Sequence, residues 1–134
     1  MTSEGTIFLA DLISIFHVMI VIAFVLAPFS NIPSLLILHI TFGLSLLVHW
    51  RMNSNMCCLS LLESQLRGLN RKDTFTHQLI APLYEISEHD WDVLIYIITI
   101  GLMCMSIYNL YHSEKFQKFL HNANLETLES LFTL

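Results

Sequence analysis

The chain has 134 residues, of which 54% are hydrophobic and 13% charged, and its formal net charge is -5. A soluble domain carries about 25% charged residues, so this chain has too little polar surface to cover a globule in water. Six Lys and Arg residues with no basic cluster rule against a nucleic-acid footprint. Three cysteines, Cys57, Cys58 and Cys104, give neither a disulfide framework nor paired C-x-x-C metal knuckles.

The N-terminal stretch Met1 to Asp11 holds Glu4 and Asp11 and no basic residue. A cleaved signal peptide needs a positive start, so the first apolar run is expected to stay in the protein as an anchor. Three windows reach the roughly 20 apolar residues needed to cross a bilayer. They lie at about residues 12–29, 32–50 and 93–111. Pro28 and Pro33 bracket a turn at Ser30-Asn31, which returns the second span antiparallel to the first. Trp50 ends the second span, and Trp91, Tyr108 and Tyr111 bracket the third, where aromatic rings suit the membrane–water boundary.

Residues 51–91 form an interfacial region. Ser60-x-x-Glu63 has the spacing of a capping box, in which serine and glutamate satisfy backbone donors at a helix start. Glu63 and Arg67 are four apart, in the favourable order for a helical ion pair, and Gly68 is a stop signal. A short amphipathic helix is therefore expected from Ser60 to Arg67. Phe75 to Ile86, interrupted by Pro82, is too short to span and reads as interfacial or re-entrant. Glu85, Glu88, Asp90 and Asp92 form an acidic cluster before the third span. The tail, 114–134, carries an apolar stripe of Phe116, Phe119, Leu120, Leu125, Leu128, Leu131 and Phe132, broken near Asn122-Ala123-Asn124. Such a stripe suits the membrane surface, a partner, or the protein's own loop. Arg51, Arg67, Arg71 and Lys72 against Lys115 and Lys118 favour a cytosolic middle region.

Polar residues inside a span face protein more often than lipid. In the second span Ser34, Thr41, Ser45 and His49 share one face, with His39, Gly43 and Trp50 nearly opposite. Asp11, Ser14 and His17 form a looser stripe in the first span, and Thr99, Ser106 and Asn109 cluster in the third. Small and hydroxylated residues at such positions serve helix packing first. A sharper alternative is bis-histidine haem ligation by His17 and His39. Their distances from the shared turn differ by about five residues, an axial offset of roughly 7 Å that fits one haem poorly. A zinc site of His49, Cys57 and Glu63 has suitable ligand types but no recognised spacing. A proton pathway lacks a carboxylate inside the second and third spans. No nucleophile motif, phosphate loop or catalytic carboxylate pair stands out, so an enzyme is not expected.

The most distinctive segment is His49-Trp50-Arg51, followed by Asn55-Met56-Cys57-Cys58-Leu59-Ser60-Leu61-Leu62-Glu63-Ser64-Gln65-Leu66-Arg67. It resembles an uncharacterised family of small bacterial membrane proteins with a tryptophan followed by C-P-L-T-x-L-E-x-x-L-R. It is also similar to short membrane proteins of large DNA viruses. The match places Cys57, Leu59, Ser60, Leu62, Glu63, Leu66 and Arg67 on the motif, with Cys58 in place of proline and Ser60 in place of threonine. The resemblance extends over roughly Leu35 to Tyr111, and its Cys57–Arg67 part is the most specific. It implies a small multi-span membrane fold and no particular activity. Read physically, the motif is a structural corner: the chain leaves the membrane at Trp50, turns at Asn53 to Asn55, and starts a capped helix, with Cys57 as a small buried residue.

The sequence thus predicts one all-α membrane domain of three transmembrane helices plus one or two short interfacial amphipathic helices. The leading functional expectation is a non-enzymatic structural or assembly component of a virion membrane or larger membrane complex. It would oligomerise through its intramembrane polar faces and its tail. The alternatives are a haem- or metal-binding redox protein using intramembrane histidines, and a small oligomeric channel or transporter lined by Ser34, Thr41, Ser45 and His49.

Overall fold

In a computed structural model the described residues are 4–68 and 88–122, and among them every regular element is helical. Helix α1 runs Glu4–Leu26 and ends in a 3-10 turn, Ala27–Phe29. Helix α2 runs Pro33–Met52, α3 Cys58–Arg67, α4 Glu88–His112 and α5 Glu114–Asn122. Three helical segments, Glu4–Phe29, Pro33–Met52 and His89–His112, are long and apolar enough to cross a bilayer. The shortest has 20 residues, about 30 Å at 1.5 Å per residue, which matches the hydrocarbon thickness. The protein is an all-α membrane protein.

Elementary rules account for the helix ends. Helix α1 is already formed at Glu4, eight residues before the expected span, where the acidic side chain complements the helix dipole. Pro33 opens α2 at a position where its missing N–H costs nothing. Past Met52, the N–H groups of Asn53 and Asn55 donate to the carbonyls of His49 and Trp50. Ser54 and Asn55 turn the chain in the left-handed region, at φ 52° and 62°. Gly68 closes α3 at φ 66°, and a Cβ there would meet nothing within 4 Å, so glycine is present for the backbone angle and not for space.

The expected capping box is not formed. Helix α3 starts two residues earlier, at Cys58, and Cys57 at its N-cap makes no side-chain capping bond. Ser60 lies inside the helix with its Oγ buried and without a hydrogen-bond partner. The local rule loses to tertiary contacts. His49 Nε2 accepts the Cys58 N–H at 3.1 Å, and Glu63 is drawn to other partners.

The chain forms two compact units, one of residues 1–22 and 48–94 and the other of residues 23–47 and 95–134. In the second unit, Leu36, His39 and Gly43 of α2 and Thr99, Met103, Ser106 and Leu110 of α4 are buried at heptad-like spacings. A Cβ on Gly43 would lie 2.6 Å from Met103 Sδ, so only glycine admits that side chain there. Large apolar side chains such as Phe8, Met19, Leu38 and Ile97 are each more than 60% exposed, a surface that hydrocarbon solvates and water does not. Phe75 to Ile86, Glu85 and the tail beyond Asn122 lie outside the described residues.

Candidate functional site

The site in the first unit is built by α1 and α3. On α1, Ala10 and His17 are buried, with Ile13 and Ser14 half-buried between them, so one stripe of the helix faces protein. The buried positions of α3 are Ser60, Glu63 and Ser64, while Leu62 is exposed. Its polar face points inward and part of its apolar face outward. That is the reverse of a helix lying on a soluble core, and it suits a membrane setting.

Glu63 is the centre. Its Oε1 accepts the Ser14 hydroxyl at 2.6 Å and the Arg67 Nε–H at 3.0 Å. Arg67 also donates through Nη2 to Asp11 Oδ1 at 2.7 Å. The predicted Glu63–Arg67 pair is therefore present, but as the middle of a four-residue network. Burial works against the Arg67 charge, yet the hydrogen bonds to Asp11 and Glu63 prevail and raise its pKa above the ordinary arginine value. The other carboxylate oxygen, Oε2, is buried without a hydrogen-bond partner. His17, 5% exposed, lies within electrostatic reach of Glu63.

Around this cluster the corner described by the motif is tied down. Asn53 Nδ2 donates to the Met56 carbonyl, and Asn55 Nδ2 donates to Asp92 Oδ2. Trp50 is half-buried and accepts backbone bonds from the turn. Cys57 is half-buried, less enclosed than expected, and Cys58 and Cys104 are exposed. Burial pushes the Cys57 thiol above its ordinary range, with backbone hydrogen bonds from Leu59 and Ser60 pulling the other way. His49 Nε2 is engaged by Cys58, and Glu63 Oε1 by Ser14 and Arg67. Among the described residues no three His, Cys, Asp or Glu converge as metal ligands.

The second unit holds His39, 3% exposed. Its Nδ1 is 2.8 Å from Ser106 Oγ, its ring is 4.2 Å from that of Phe24, and its Nε2 has no hydrogen-bond partner. Asn109 Nδ2 donates to the Pro28 carbonyl at 2.7 Å. His17 and His39, paired in the haem alternative, thus belong to different units. Of the expected polar face, Ser34 is half-buried, and Thr41 and Ser45 are exposed. Their hydroxyls return to the carbonyls of Ile37 and Thr41, four residues back. Within α2 the buried face is the opposite one, with His39 and Gly43.

Sequence reasoning recognised Asp11, Ser14 and His17 as one stripe and Glu63 with Arg67 as a pair, but did not join them. The signal was present. Ser60, Glu63, Ser64 and Arg67 recur at helical spacing, so α3 has a polar stripe able to meet the polar stripe of α1. No protein-family model, curated protein or solved structure matches this chain.

Proposed function

We propose that the protein is a non-enzymatic integral membrane component that assembles with further copies or a partner within the bilayer. The observation that carries this reading is the engagement of the intramembrane polar groups in holding helices. Ser14 binds Glu63, His39 binds Ser106, and Asn109 binds the Pro28 carbonyl. Polar side chains used this way build a scaffold. Thr41 and Ser45 supply the association face. Exposed hydroxyls that satisfy themselves on their own helix can re-pair with a neighbouring helix at little desolvation cost. The resemblance to short membrane proteins of large DNA viruses makes a virion membrane the first compartment to inspect.

The test is the mass of the detergent-purified chain by light scattering, with crosslinking in native membranes. The scaffold reading expects an oligomer or a co-purifying partner, weakened by Thr41→Val with Ser45→Val. A strict monomer in detergent and in lipid, with no partner, refutes it.

A second reading, haem or a metal bound through an intramembrane histidine, has one observation in its favour. Ser106 holds His39 Nδ1 and leaves a buried Nε2 without a partner, the orientation a ligating imidazole needs. The space beside Gly43, one turn on, is occupied by Met103. A Soret band lost on His39→Ala establishes this reading, and a featureless spectrum with no metal by elemental analysis ends it.

A further inference from the structure

The first unit holds ionisable groups that helix packing alone does not require. Among the described residues, Asp11 and Glu63 bring two negative charges against the single positive charge of Arg67. The uncompensated charge is best localised on Glu63, whose side chain is 6% exposed where that of Asp11 is 54% exposed. Water therefore screens Asp11 and does little for Glu63. Glu63 Oε2 and Ser60 Oγ are buried and lack hydrogen-bond partners, an expensive arrangement in a low-dielectric setting. Both come from the inward face of α3, and His17 is buried one turn beyond Ser14, the Glu63 donor, on the protein-facing stripe of α1. One further positive charge beside Glu63 makes the cluster neutral.

We propose that His17, Glu63 and Ser60 form a proton-binding site within the membrane domain. A proton taken from bulk water adds to the His17 ring as a new N–H bond. The resulting imidazolium is stabilised by the Glu63 carboxylate, and the Ser60 hydroxyl is the neighbouring dipole that turns toward whichever charge is present. Unloading returns the proton to water and leaves one excess negative charge on the cluster. Among the described residues, the groups facing the site are Asp11, Ser14 and His17 on α1 and Ser60, Glu63, Ser64 and Arg67 on α3. Nearby in the same unit, His49 on α2 is tied to the Cys58 N–H and Asp92 on α4 to Asn55, while His89 and Asp90 are exposed. This site is separate from the Thr41 and Ser45 association face, so either proposal can fail without the other.

The experiment follows the His17 ring by nitrogen-15 NMR of the full chain in lipid nanodiscs across a pH series. Its signal is assigned by its loss in His17→Gln. At a fixed pH inside the transition, Glu63→Gln is expected to lower the ratio of imidazolium to imidazole about tenfold, the equivalent of one pH unit. Arg67→Gln is expected to raise it, because the carboxylate loses its competing cation. Opposite directions separate an electrostatic site from general unfolding, which moves both variants to the same value. If Glu63→Gln does not fold by circular dichroism, Asp11→Asn, on the exposed arm, gives a smaller fall with Glu63 in place. An unmoved His17 transition, or a shift of the same sign in both charge variants, overturns the proposal.

Discussion

Replacing Arg67 by methionine isolates the energetics of the α1–α3 network. Methionine keeps much of the apolar stem and removes both donors, the Nε–H to Glu63 and the Nη2–H to Asp11. The two halves of the network differ in solvation: the side chains of Glu63, Arg67 and Asp11 are 6%, 27% and 54% exposed. Removing one partner of a buried pair costs about 3–5 kcal/mol because a charge is left uncompensated. Arg67 is partly wet, so the low end, about 3 kcal/mol, applies. Losing the exposed Asp11 arm through Asp11→Asn should cost no more than about 1 kcal/mol. Glu63→Gln should fall between them, because it removes the buried charge itself and leaves the partly wet Arg67 paired with Asp11. Cys57, half-buried at the N-cap of α3, reports undocking through its alkylation rate in a Cys58→Ser, Cys104→Ser background. At 1.4 kcal/mol per tenfold, Arg67→Met should accelerate alkylation about 100-fold and Asp11→Asn about fivefold or less. Equal effects of the two variants, or an Arg67→Met rate matching the parent, would refute the buried-pair account.

Other outcomes follow from the same structure. Gly43→Ala should lower the thermal midpoint in detergent, at a cost of about 1–3 kcal/mol, because Met103 must leave its place; an unchanged midpoint means the helices do not pack there. Ser106→Ala removes the His39 contact and should cost about 1 kcal/mol, in line with hydrogen bonds between membrane helices, as read by unfolding in mixed micelles. Burial raises the Cys57 thiol, so the docked state binds its proton more tightly than the undocked state. That contribution is complete below the ordinary thiol value, about 8.5, and is lost as pH rises through the raised one. Alkylation of Cys57 should accordingly lag that of exposed Cys58 most at mildly alkaline pH; identical pH profiles for the two thiols contradict this.

Several features of the molecule are legible in the chain alone, because their causes are local. Three apolar runs about as long as a bilayer needs specify spanning helices. Pro28 and Pro33 mark the turn between the first two. Gly68 marks the end of α3 through its left-handed angle, and the four-residue interval from Glu63 to Arg67 specifies their ion pair. Sidedness is different. Both polar faces of the second span have the same helical period, and with apolar residues around the whole helix the pattern cannot say which face meets protein. Only the position of α4 decided for His39 and Gly43 and left Thr41 and Ser45 exposed. The cap of α3 was also a tertiary outcome. Ser60 and Glu63 satisfy the local capping pattern, but the serine of α1 that captures Glu63 lies 49 positions away. The helical period shows a polar stripe on each helix but does not pair stripes at that separation, and this contact is what carries an acidic side chain into the buried polar cluster.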